Sequence, residues 1–582
     1  MKAWWALLQI VMTCAFIKGS LAQSSKQPPN IIFIIADDLG WNDVGFHGSV
    51  EIPTPNIDAL AYRGIILNNY YVAPLCTPSR SALMTGKYPI HTGMQHFVLL
   101  NWEARGLPLS ERILPEYLKT LGYSTHAVGK WHLGFYLKEY TPEYRGFDSH
   151  VGHWTGQQDY YDHSATEEEL WGLDMHRGLE PAWDVHGKYS TTFYTEEAVK
   201  IINTHGTKHN YPKKDKDTGG KAKPLFLYIA HTAVHSGNAY NPLPAPDETV
   251  DKFSYIKDYK RRRYAAILHE LDVSVGKVVE ALGENKMLDN SIIIFTTDNG
   301  GAAAGFDMNA ASNWPLRGGK RTLWQGGTRG AALIWSPFFK KSGRVSEQFL
   351  HISDWLPTLI SAVNGSTKGL HALDGFDSWR ALSEDIPTDR TEALLNIDSK
   401  TNEAALISGD WKVTVGTFMN GTWDDWYGPS GLDSSYRYRL DLILKSDVSL
   451  AMDSIGHYLN RDKIHSLREK AQVKCEFKKS SLDEIDDKIN LVVGPPIPCK
   501  PLVKPCLFNL KFDPCERRNL AEMFPDKLQA LLNELDKHSA SALPPTNLPM
   551  DPRARPALWD HTWTNFGDRT LTKHDDETCT LS

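Results

Sequence analysis

Three stretches of this chain are apolar throughout and stop on polar residues: NIIFIIADD (30–38), PLFLYIAHTAVH (224–235) and SIIIFTTDNG (291–300). A β-branched run without alternation suits a strand buried on both faces, which a parallel sheet covered by helices provides. RGAALIWSP (329–337) reads as another such strand. The intervening segments carry helical spacing, as in residues 251–286, where apolar residues recur at i, i+3 and i+4. This alternation predicts an α/β sandwich around a large, mostly parallel central sheet.

The pattern changes after about residue 395. AALISGDWKVTVG (404–416) reads as two short strands about a Gly-Asp turn, and CLFNLKFDPCERRNLAE (506–522) as a strand followed by a turn. FPDKLQALLNELDKHSASA (524–542) is an amphipathic helix with Pro525 in its first turn. The expected organisation is a leader at 1–22, an α/β domain over 23–400, a smaller α+β subdomain with an antiparallel sheet over 401–545, and a surface tail over 546–582. A chain of 582 residues is too long for one simple core, which agrees with two units.

The leader itself has Lys2, an uncharged and mostly apolar stretch from Ala3 to Ile17, and small residues around Ala22, as a cleaved secretory signal does. Its apolar part is short for a bilayer span, and no later segment is long and apolar enough, so no membrane span is expected. Sequons at Asn364-Gly-Ser and Asn420-Gly-Thr fit the same route. A net charge of −7 argues against a nucleic-acid partner. Of seven cysteines, Cys14 lies in the leader, Cys475, Cys499, Cys506 and Cys515 crowd one stretch, and Cys579 lies near the end. Disulfides are expected there, with Cys506–Cys515 the favoured pair. Cys76 stands apart.

Open α/β sheets gather ligands at the carboxyl ends of their strands. Here those ends supply Asp37-Asp38, Asp298-Asn299, His231 and His235. Carboxylates and an amide oxygen are hard donors that suit Ca²⁺ or Mg²⁺ better than Zn²⁺. Singly, each acidic pair reads as a loop cap; two pairs at corresponding strand ends read as a metal site. Lys130 and His132 are two residues apart and share a face if their strand continues. Arg317, Lys320 and Arg321 sit among glycines. Cations around a carboxylate-bound metal suggest a tetrahedral anion, with His132 and His235 as base and acid.

CTPSRSALMTGK (76–87) resembles the C-x-P-S-R-x-x-x-x-T-G motif of type I sulfatases, and GYSTHAVGK (122–130) resembles the family's second signature. ADDLGWNDVGFHGS (36–49), GKWHLG (129–134), TTDNGG (296–301), NWPLRG (313–318) and HISDWLPTL (351–359) extend the resemblance, which is nearest the arylsulfatase B group. The resemblance implies an alkaline-phosphatase-like fold and conversion of Cys76 to formylglycine by the formylglycine-generating enzyme. That conversion explains why this cysteine needs no partner. One Ca²⁺ per chain is implied, held by Asp37, Asp38, Asp298, Asn299 and the oxygen at position 76.

By the same resemblance, Arg80 steadies the aldehyde hydrate and Lys130 bridges it to sulfate. Lys320 holds sulfate oxygens, His235 or Lys320 protonates the leaving alcohol, and His132 helps expel sulfate from a covalent sulfo-enzyme intermediate. His231 is expected to lie outside the chemistry. The sequence AVHSG departs from the arylsulfatase B pattern, which has proline two residues after this histidine; the departure falls on the substrate pocket rather than on the metal. The implied substrates are sulfated glycans ending in N-acetylgalactosamine 4-sulfate or, alternatively, small sulfate esters such as glucosinolates. Specificity is expected from loops 153–190 and 416–500. Secreted and lysosomal fates both fit, and the oligomeric state is left open. Two rival readings are a phosphomonoester or phosphonate hydrolase and an inactive binding homologue. The retained cysteine and carboxylates weigh against the second, and the lack of a two-metal, histidine-rich pattern weighs against an alkaline phosphatase.

Overall fold

The computed structural model describes residues 27–210, 223–370, 372–428, 436–475 and 492–570. The expected leader with Cys14, and Cys579, lie outside the described residues.

The central sheet has ten strands. They are β1 (Asn30–Ala36), β2 (Ile65–Leu67), β3 (Ser124–Gly129), β4 (Ser149–Gly152), β5 (His176–Arg177), β6 (Glu180–Pro181), β7 (Leu225–Ala230), β8 (Ser291–Thr297), β9 (Ala332–Trp335) and β10 (Arg344–Ser346). Their spatial order is β10-β2-β9-β8-β1-β7-β3-β4-β5-β6. The run β8-β1-β7-β3-β4 is parallel throughout. Every side chain of β1, β7 and β8 is buried, which is why those sequences show no alternation. β9, from the stretch 329–337, is equally buried but antiparallel to both β8 and β2. Burial on two faces fixes composition, not direction.

The two faces of β1 enter different layers. Ile32, Ile34 and Ala36 pack among α1 (Pro55–Arg63), α3 (Ser190–Asn210) and α4 (Tyr259–Glu284). Ile31, Phe33 and Ile35 pack among α2 (Cys76–Thr85) and α5 (Trp355–Ala362). Each fully buried Ile or Phe stabilises the fold by about 1.5–3 kcal/mol. The helical stretch 251–286 is interrupted before α4, where Asp258 caps the new helix by accepting a hydrogen bond from the Arg261 N–H.

The second unit is a four-stranded antiparallel sheet of β11 (Glu392–Asp398), β12 (Glu403–Ser408), β13 (Trp411–Val415) and β14 (Cys506–Asn509). Its first strand begins upstream of residue 401. Helix α6 (Pro525–Ser541) covers it, with Leu531 and Leu535 among Leu394, Leu406, Val413 and Leu507. The disulfides are Cys475–Cys515 and Cys499–Cys506, not the expected Cys506–Cys515. Cys506 opens the extended β14, whereas Cys515 lies in the turns beyond it. The strand carries the two apart, leaving Cα separations of 5.5 and 5.8 Å in the pairs that form. The tail does more than cover the surface: Trp563 and Phe566 are buried beside Phe135. Thr562 also pairs with Leu173.

Candidate active site

Parallel register determines where the site forms. Ala36 lies opposite Thr297, and Ala230 lies opposite both Ile35 and Gly129. The residues that follow these strands therefore emerge together: Asp37-Asp38 from β1, Asp298-Asn299 from β8, His231 from β7 and Lys130 from β3. Helix α2 points its first residue, Cys76, into the same place, with Sγ 3.6 Å from Asp37 Oδ1. That end of a helix carries partial positive charge. Cys76 is buried and free of disulfide.

Lys130 Nζ donates to Asp37 Oδ2 at 2.5 Å. Arg80, one turn along α2, donates through Nε to Asp298 Oδ2 at 3.0 Å and lies 3.7 Å from Asp37. Lys320 Nζ donates to Asp38 Oδ2 at 2.8 Å, Asp307 Oδ2 at 2.7 Å and His235 Nε2 at 2.9 Å. Asn299 Nδ2 donates to Asp38 Oδ1 at 2.7 Å.

The ring hydrogen bonds assign the tautomers. His235 Nδ1 faces the Ser236 carbonyl at 2.7 Å and must donate, so Nε2 accepts from Lys320. His132 Nε2 faces the Leu99 carbonyl at 3.0 Å and must donate, so Nδ1 holds the lone pair. Burial holds both rings below the ordinary histidine value, helped by Lys320 beside His235 and Lys130 beside His132. Burial pushes the Cys76 thiol well up. It opposes ionisation of Asp37 as well, but Lys130, His235 and Arg80 outweigh it and hold that carboxyl far down. Burial and repulsion from Asp37 push Asp298 up to about 7. For Lys320, burial lowers the value but Asp307 and Asp38 prevail and raise it.

A divalent cation fits this cluster. Asp37, Asp38, Cys76 and His235 present ligand atoms within 4.8 Å of one another. The Asn299 Oδ1 is buried with no hydrogen-bond partner among the described residues. Arg80, Lys130 and Lys320 face Asp37, Asp38, Asp298 and Asp307, which leaves one net negative charge when all four carboxylates are ionised, as a bound cation favours, and the histidines are neutral. A divalent ion turns that into one net positive charge, which a singly charged anion neutralises.

Cys76, His132, His235 and Lys320 line one cavity of 260 Å³ together with Asn101, Glu167 and Asp307. Lys130 and His132 both reach the site, but not by strand alternation: β3 ends at Gly129, and His132 has φ 57°. Arg317 lies outside it, its guanidinium between the rings of Trp324 and Trp426 at 3.7 and 4.6 Å. Arg321 lines the wall but pairs with Glu403 at 2.7 Å. His231 bonds Ser274 at 3.0 Å and does not line the cavity. Sequence reasoning missed Asp307 and Glu167, whose neighbours form no motif.

An α/β sandwich of alkaline-phosphatase type, with a carboxylate cluster and a ring of cations beside a buried helix-start cysteine, defines a hydrolase of anionic esters. The profile of the Sulfatase family matches residues 29–366, and the chain belongs to that family. Arylsulfatase J of Mus musculus is 38% identical over 563 residues, covering 94% of this chain and 83% of that protein. N-acetylgalactosamine-6-sulfatase of Homo sapiens is 33% identical over 62% of this chain and 66% of that protein. The crystal structure of Ps i-CgsB in complex with k-i-k-neocarrahexaose superposes with TM-score 0.65 at 26% identity, covering 89% of this chain and 94% of that one. The protein is a sulfuric ester hydrolase. The family implies formylglycine at the motif cysteine and a divalent metal.

Proposed function

We propose that Asp37, Asp38, Asp298 and Asn299, with the oxygen formed at position 76, hold one Ca²⁺. Oxygen donors without a second histidine cluster support that ion, which supplies positive charge to the sulfate oxygens when bound. Cys76 marks the place of the formylglycine, which supplies a hydroxyl nucleophile once hydrated. Lys130 and Lys320 bind sulfate oxygens, and Arg80 fixes Asp298 and the start of α2. His132, which lines the cavity and whose buried Nδ1 has no hydrogen-bond partner among the described residues, takes a proton from the position-76 hydroxyl. Lys320 exchanges one of its three directed N–H bonds, that to Asp307, for the leaving oxygen and delivers a proton there, while His235 Nε2 orients it.

The substrate is a sulfate monoester of a small alcohol or sugar. Glu167 and Asp307 at the cavity favour an organic part without further negative charge over a uronate-rich glycan. The two disulfides, together with Asn364 and Asn420 on the exposed surface, support maturation in the secretory route.

One observation carries this reading: the motif cysteine stands as the first residue of α2, against Asp37 and within the ring of cations. Mass spectrometry of the peptide around residue 76 from secreted protein should show the aldehyde. Cys76→Ala should lose turnover of an aryl sulfate by more than about 10³-fold with an unchanged melting temperature. Full activity in protein carrying only thiol would overturn it.

A further inference from the structure

Beside the active cavity lies a second cleft of 540 Å³, walled by Trp171, Trp183 and Tyr240. Their fractional exposures are 54, 54 and 62%, high for such large rings, and exposed aromatic clusters mark binding surfaces. The cleft is built. Trp171 stacks on His561 with centroids 4.8 Å apart, so one of its faces is fixed and the other is open. Tyr240 is held by donating to Asp162 at 2.6 Å and by accepting from the buried Asn238 at 3.1 Å.

The cleft shares its supports with the catalytic centre. Thr166 lines the cleft while Glu167, next to it on the strand Ser164–Glu167, lines the active cavity, as alternation requires, and Glu168, at φ 50° in the turn that follows, lines the cleft. Asn238 joins the two segments by accepting from Thr166 Oγ1 at 2.9 Å. Tyr240 follows His235 by five positions, a reach of at most about 18 Å, or a few sugar units.

The polar lining decides the ligand. Asp162, Glu168 and Glu169 are the cleft's carboxylates, His186 lines it beside them, and no Lys or Arg among the described residues does so. Such a wall repels sulfate and uronate, accepts hydrogen bonds from hydroxyls, and offers flat apolar faces. We propose that this cleft is a subsite for an uncharged pyranose ring of the substrate, stacked on Trp171 and Trp183 with its hydroxyls on Glu168 and Glu169. The proposal rests on the sulfatase reading above and names its substrate class: a sulfated saccharide whose remaining rings are neutral.

Three substrates test it: p-nitrophenyl sulfate, a monosulfated neutral disaccharide, and the same disaccharide with a uronate as its second ring. Wild-type protein should prefer the neutral disaccharide. Trp171→Ala with Trp183→Ala should raise its KM about tenfold, the loss of two modest stacking contacts, and leave p-nitrophenyl sulfate unchanged. Phe at both positions should restore it. Glu168→Gln with Glu169→Gln should improve the uronate substrate. In the formylglycine-containing wild type, unsulfated lactose should compete with the disaccharide and not with the aryl sulfate. Lactose without effect, or equal KM for the disaccharide in wild type and the alanine pair, would overturn the subsite. Absence of aryl sulfate turnover in formylglycine-containing wild type would instead overturn the reading beneath it.

Discussion

His231 and His235 lie four residues apart, and their neighbours separate their roles. His235 meets Lys320; His231 bonds the Ser274 hydroxyl, and burial holds its ring at about 3. A histidine kept neutral by folding leaves the unfolded chain to bind the proton first. Its contribution to stability is therefore lost as pH falls below about 6.5, by about 1.4 kcal/mol per unit. His231→Gln should flatten the loss of denaturant-measured stability between pH 6.5 and 4.5 by about 3 kcal/mol relative to wild type. Parallel stability curves would refute this. At the carboxylate cluster the test is metal removal. Prolonged chelation should lower both aryl sulfatase activity and melting temperature, and Ca²⁺ should restore both; fully active metal-free protein would exclude the assigned ligands.

Among the elements, β1, β7 and β8 were legible because complete burial writes an unbroken apolar run, and their polar ends marked Asp37, Asp38, Asp298 and Asn299. The direction of β9 was not legible, since its composition is that of its parallel neighbours. The route of Lys130 and His132 was not legible either. Gly129 ends β3 with φ +96°, and a Cβ there would stand 1.9 Å from the Ala230 carbonyl oxygen. Only glycine allows β3 and β7 to approach so closely just before Lys130. Gly129→Ala should displace Lys130 and cut kcat/KM about 10²-fold, the effect of misplacing a group by about 1 Å. Steady-state kinetics beside circular dichroism would show it, and wild-type kinetics would contradict it.

Across the whole molecule, the small sheet reaches the chemistry through a buried ion pair. Lys412 of β13 donates to Glu516 at 2.6 Å and to the Leu323 carbonyl at 2.5 Å, and Glu516 accepts from the Gln325 N–H at 2.7 Å. These bonds fasten the segment that carries Lys320. Lys412→Met leaves Glu516 buried and unpaired, which should cost about 3–5 kcal/mol and raise KM for aryl sulfate. Replacing Glu516 with Leu as well should recover much of the stability, and thermal melts of the single and double variants would test both. The C-terminal segment acts similarly, since Trp563 Nε1 donates to the Ala165 carbonyl at 2.9 Å beneath the hairpin that carries Glu167. By itself the sequence determined the long buried strands and singled out the carboxylates and the cysteine proposed here for the metal and the formylglycine, because burial and motif chemistry act over a few adjacent residues. The pairing of cysteines, the recruitment of Asp307 to Lys320, the withdrawal of Arg317 into an aromatic stack and the aromatic cleft beside the cavity were decided only by tertiary structure. Each depends on which distant surfaces meet, and no local pattern encodes that.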